Sequence, residues 1–150
     1  HALVTLLMKE GDSMSTLQRE IPGLDEVIRY FEKNSIKTCI IYGSGGTDRA
    51  GAMSDIDLAV AADAPLSSET LVRHYLNTVD LLHREVDLVD LNKAKGLILK
   101  EILTKGDILI NKDPQFLGNK AIEMMDYQSD LAPGVNRMLK QRLSRSLYGK

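Results

Sequence analysis

Two aspartates bracket one isoleucine at the head of an apolar run, Asp55-Ile56-Asp57-Leu58-Ala59-Val60-Ala61-Ala62. Such a run, preceded by a glycine-rich stretch, predicts a β-strand. Strand residues i and i+2 project from one face, so Asp55 and Asp57 point together. Ile56 and Leu58 then turn to the opposite side, toward a core. Two ionised carboxylates held side by side repel each other unless positive charge stands between them. A divalent cation is the economical counter-charge, and hard oxygen ligands in an open site suit Mg²⁺, which keeps waters and substrate phosphates in its shell. One strand cannot complete such a site, so a further acid has to come from elsewhere.

The surrounding pattern predicts an α/β (α+β) chain: a small mixed sheet of three or four strands flanked by helices. Ser13 or Ser15 caps a short first helix. Pro22 opens a helix through about Lys33, with Leu24, Val27, Ile28 and Phe31 on one side. "KTCIIY" is a strand ending at Gly43, and "DIDLAVAA" is the next. A helix begins at Ser67 or Ser68 with an expected apolar stripe of Leu71, Val72, Tyr75, Leu76, Val79 and Leu82. "EVDLVDL" alternates as a third strand. A helix near 93–105 carries Leu97, Ile98, Glu101 and Ile102 and stops at Gly106, and "DILI" adds a short strand. From Pro114 the chain reads as helical, broken at Pro133-Gly134. At 150 residues this is most simply one domain, 1–150, with 114–150 as its helical C-terminal region.

Composition narrows the function classes. A net charge of -2 argues against a dedicated nucleic-acid binder. Arg137, Lys140, Arg142, Arg145 and Lys150 nevertheless gather in the last twenty residues, which contain no acid. That tail suits either an acidic partner or a solvated helix face. No apolar stretch approaches the roughly 20 residues that cross a bilayer. "HALVTLLMKEGD" lacks the length and basic leader of a secretory signal. A cytoplasmic location is the expectation, and the single cysteine, Cys39, is compatible with a reducing compartment. Cys39 lies in an apolar strand and reads as a small buried hydrophobe. His74 and His83, nine residues apart on one helix, do not have metal-ligand spacing and read as solvent-facing or locally satisfied. The tyrosines, Tyr42 included, read as structural.

The candidates for the further acid are Asp87 and Asp90. They lie three apart, so a regular strand sends them to opposite faces, and periodicity alone fixes neither as the partner of the pair. Asp90, nearer the strand end, serves equally well as a cap for the next helix. The stretch "GSGGTDRAGAMS" supplies a different chemistry. Backbone N–H groups around Gly43, Ser44, Gly45 and Gly46, with the Ser44 hydroxyl, suit phosphate oxygens. Neither a Walker A pattern nor G-x-G-x-x-G is present, which excludes the common P-loop and dinucleotide signatures.

Gly43-Ser44, ten intervening residues and then Asp55-Ile56-Asp57 resemble the signature of the DNA-polymerase-β-like nucleotidyltransferase superfamily. The resemblance covers roughly residues 38–90, and "SDIDLAV" is similar to the extended motif. It implies a nucleotidyltransferase fold, ATP as substrate, and Mg²⁺ held by Asp55, Asp57 and a third aspartate, placed at Asp87. It implies phosphate contacts at Gly43 and Ser44. Thr47-Asp48 stands where many members carry a basic residue and a glycine, and Arg49 offers its charge two positions beyond. Chain length, "VDLVDL" and "DYQSDLAPG" resemble a narrower branch, the minimal nucleotidyltransferase antitoxins (MntA-like). These partner a HEPN-type ribonuclease toxin (HepT-like) in a hetero-oligomer and transfer AMP to a toxin tyrosine. Two other readings share the motif: adenylation of a small hydroxylated molecule of the aminoglycoside type, and an antitoxin that neutralises by contact alone.

Overall fold

The structure, a computed structural model, describes residues 20–42 and 55–131, with side chains through Tyr127. Four helices and four strands follow one another along these residues, β1 and β2 in direct succession. They are α1 (Leu24–Lys33), β1 (Thr38–Tyr42), β2 (Ile56–Ala61), α2 (Ser68–Leu82), β3 (Val86–Asp90), α3 (Gly96–Lys105), β4 (Asp107–Asn111) and α4 (Pro114–Leu131). The expected helix caps Ser13 and Ser15, the helix beyond Pro133 and the glycine-rich segment 43–54 lie outside the described residues.

The sheet is mixed, in the order β3-β2-β1-β4. β1 runs antiparallel to both β2 and β4, while β2 and β3 are parallel, joined through α2. A parallel pair needs such a crossover, and a helix is its usual form. Both faces of the sheet are covered. Cys39, Ile41, Ile56, Leu58 and Val60 pack on one side with Leu24, Val27, Phe31 and Leu82 of α1 and α2. Ile40, Tyr42, Ala59 and Ala61 pack on the other with Leu99, Ile102 and Leu103 of α3 and Leu117 and Met124 of α4. Burial on two faces explains why β1 is apolar or neutral at every position instead of alternating. Cys39 is fully buried, and burial pushes its thiol far above the usual range. A bulge between Cys39 and Ile40 in the β1–β4 pairing inserts Leu109 and lets it join Ile110 on the α1/α2 side.

Three helix assignments differ from the sequence expectation, each for a local reason. α1 starts at Leu24, because Gly23 takes φ 90° as its N-cap and Pro22 lies in the preceding turn. α2 does begin at Ser68, with the Ser67 side chain accepting from Thr70 N. Its buried face, however, is centred on His74, Thr78 and Leu82, leaving Val72 and Leu76 55% and 59% exposed. Polar groups occupy that face because each is satisfied. His74 Nδ1 lies 2.7 Å from the Tyr30 hydroxyl, and Thr78 donates to the His74 carbonyl at 2.6 Å. Burial first, and Arg73 second, lower the His74 pKa, so the ring stays neutral and bonds Tyr30. His74 is thus locally satisfied but not solvent-facing. On α3 the buried residues are Leu99, Ile102 and Leu103, with Leu97 and Ile98 exposed instead of packed. Gly106 ends α3 as expected. No helix among the described residues is long and apolar enough to cross a membrane.

Gly23 couples the two helices of the first core. A Cβ there would run into the Leu81 carbonyl near the end of α2, and φ 90° is itself unfavourable for any L side chain. Gly23→Ala is expected to cost about 2–3 kcal/mol. Urea denaturation checks this: the midpoint should fall at an unchanged slope.

Candidate functional site

The site forms where the C-terminal end of β1 meets the first residues of β2 and β3. β2 emerges from segment 43–54 just after Asp55, and its first residues set the register. Tyr42 pairs with Asp57 across the antiparallel β1–β2 ladder, and Asp57 pairs with Asp87 across the parallel β2–β3 ladder. Paired residues share a face and neighbouring strands lie about 4.8 Å apart, so Tyr42, Asp57 and Asp87 form one row across the sheet. Asp55 precedes β2 by one residue and is exposed, as is Asp87. Ile56 and Leu58 are buried in the α1/α2 core, which places them opposite the acids as the alternation predicts.

The acid-bearing face is not simply solvent. Two residues further along β2 the same face becomes core, at Ala59 and then Ala61 under α3 and α4. The carboxylates therefore stand on the rim of a packed layer. Asp57 is half-buried, and Tyr42 is buried at 5% exposure. Burial, then the charges of Asp57, Asp87 and Glu101, push the Tyr42 phenol far above its ordinary range, so it stays protonated. Glu101 reaches this neighbourhood from α3, where its Oε2 is 3.0 Å from Lys105 Nζ. Sequence reasoning missed both residues as parts of the site. Tyr42 carried a signal, its place immediately before Gly43. Glu101 carried none beyond lying on an amphipathic helix.

Asp90 has a different task. It is 4% exposed, and its two oxygens accept from Leu66 N at 2.7 Å and Asn92 N at 2.9 Å. Asn92 Nδ2 in turn donates to the Ala62 carbonyl, and the buried Lys120 ammonium donates to the Ala94 carbonyl at 3.1 Å. The turn from β3 to α3 is thus tied to the end of β2 and to α4. Strand register separates two acids that periodicity left equivalent: Asp87 joins the row, Asp90 holds a turn.

The structure brings Asp57 and Asp87 into register, with Asp55 exposed one residue before β2. Gly43, Ser44, Gly45, Gly46 and Arg49 fall outside the described residues. Among the described residues, no three His, Cys, Asp or Glu side chains are arranged to hold a metal ion by themselves. An open set of hard carboxylate oxygens matches the chemistry of Mg²⁺ that draws its other ligands from water and substrate phosphates. The donor types fit the ion, although these carboxylates form no preassembled cage.

Comparison with known proteins places this geometry. The family model described as polymerase beta, nucleotidyltransferase matches residues 25–115. A crystal structure of a toxin-antitoxin with AMP-PNP aligns at TM-score 0.63 and 21% identity, covering 79% of this chain and 97% of that one. One of the toxin-antitoxin MntA-HepT aligns at TM-score 0.60 and 20% identity, covering 81% and 97%. A third, the tri-AMPylated Shewanella oneidensis HEPN toxin in complex with MNT antitoxin, aligns at TM-score 0.60 and 21% identity, covering 81% and 96%. At these identities the likeness is one of fold. No curated protein matches the chain.

The contrast between the two β3 acids is testable by stability alone. Asp90→Ala strands one buried and one part-buried N–H group and is expected to cost about 2–4 kcal/mol. Asp87→Ala removes an exposed carboxylate from a repelling row and should change stability by no more than about 0.5 kcal/mol. Paired urea titrations check both.

Proposed function

Because the chain belongs to the polymerase beta nucleotidyltransferase family, we propose that it is an antitoxin that transfers AMP from ATP to a tyrosine hydroxyl of a HEPN-type ribonuclease toxin in the cytoplasm. The observation that carries this reading is the register of Asp57 with Asp87 beside the Asp55–Asp57 pair. Carboxylates from two strands thus stand at one end of the sheet, where the segment containing Gly43 and Ser44 joins β1 to β2. The likeness to toxin-antitoxin complexes, one with AMP-PNP and one with a tri-AMPylated toxin, supports the choice of nucleotide and acceptor.

In this mechanism ATP lies with its phosphates against Gly43, Ser44, Gly45 and Gly46, with Arg49 supplying positive charge. The toxin tyrosine oxygen attacks the α-phosphorus. A new O–P bond forms as the bond from that phosphorus to the β-phosphate bridging oxygen breaks, and pyrophosphate departs with the electron pair. The tyrosine proton passes to Asp87, which is exposed and able to return it to solvent. Mg²⁺ ions held by Asp55, Asp57 and Asp87 would lower the pKa of the acceptor hydroxyl and offset charge on the leaving pyrophosphate. The hydrophobic core behind Ile56 and Leu58 holds the strand, so Asp57 is aimed by packing on the opposite face.

The test is transfer of label from α-labelled ATP to the purified partner toxin. Asp57→Ala is expected to lower the rate about a thousandfold, the ~4 kcal/mol that a lost metal clamp costs. Its complex with the toxin should still form on gel filtration. Transfer at the parent rate by this variant would overturn the proposal, and a labelled small metabolite in place of the toxin would move the acceptor to another class.

A further inference from the structure

Tyr42 presents a buried polar atom for which the packing gives no reason. Its ring lies in the core formed with Ala59, Leu99 and Ile102, where phenylalanine would fill the same space. Its hydroxyl is fully enclosed and has no hydrogen-bond partner among the described residues. Buried hydroxyls are almost always bonded, and an unbonded one weakens the fold. Tyr42 nevertheless stands opposite Asp57 in the ladder and Asp57 opposite Asp87, and the charges of both carboxylates act on its phenol.

We infer that Tyr42 is a positioning residue for the acid row, its hydroxyl donating to the Asp57 carboxylate when that carboxylate holds a divalent cation. Carboxylates that ligate metals are themselves hydrogen-bonded as a rule, and the outer partner fixes which oxygen faces the ion. A protonated phenol on the neighbouring strand, one ladder step away, is suited to that task. Lysine or arginine there would compete for the carboxylate as a counter-charge, whereas a phenol orients it and leaves its charge intact. A hydroxyl without a partner among the described residues then gains one in Asp57 when that carboxylate holds the cation. The inference rests on the reading of the acid row as a metal–nucleotide site.

The experiment compares the full-length parent, Tyr42→Phe and Asp57→Ala, using Mn²⁺ with ATP as the probe and water-proton relaxation as the readout. Melting without metal is measured in parallel. Tyr42→Phe is expected to bind Mn²⁺–ATP about tenfold more weakly, within the range for loss of an outer hydrogen bond to a ligand. Its metal-free form is expected to melt no lower than the parent. Asp57→Ala should lose the binding. If Tyr42→Phe binds like the parent while Asp57→Ala does not, the inference fails and the metal site stands. A metal-free Tyr42→Phe that melts lower, or does not fold, shows that the hydroxyl has a structural partner and also overturns it. Should Asp57→Ala bind Mn²⁺–ATP as tightly as the parent, the site reading and the inference fall together.

Discussion

The pairing of β2 with its two neighbours governs where every other part of the site can stand. Asp57 faces Tyr42 on one side and Asp87 on the other because β2 is locked in register from Ile56 through Val60. That register is held by burial. A slip of one residue would carry Ile56, Leu58 and Val60 off the α1/α2 core and turn Asp57 into it. The positions of the carboxylates are a by-product of apolar packing on the opposite face.

Both faces being covered has a second consequence. In a sheet with one wet face, the acids could have been spread along β2. Here the face they occupy turns apolar at Ala59, so only the rim is available to charge. The site is confined to one end of the sheet, at the junctions of β1 with segment 43–54 and of that segment with β2. The opposite end is secured by a separate polar arrangement, in which Asp90, Asn92 and Lys120 satisfy backbone groups of the connecting turns. Carboxylates of similar appearance in the sequence thus stand on an open rim at one end and hold a connecting turn at the other.

Helix faces were the least legible part. Val72 and Leu76 match an amphipathic stripe as well as Leu71 and Val79 do, yet they are exposed, because the groups that settle α2 against α1 are His74 and Thr78. Hydropathy treats a histidine and a threonine as poor core residues. It has no knowledge of the Tyr30 hydroxyl that satisfies one, or of the helix carbonyl that satisfies the other. The same limit hid Glu101, whose charge reaches Tyr42 only through the packing of α3 over β1. Strands were more legible, since a short apolar run between turn residues has few alternatives.

The order of residues alone determined that Ile56 and Leu58 oppose Asp57, and that a glycine-rich segment lies directly before. These properties come from the two-residue period of an extended chain, which is local. Which of Asp87 and Asp90 joins the pair was decided only by the tertiary structure. That choice depends on the register between strands thirty residues apart, and register is set by the apolar surfaces that two cores bury together.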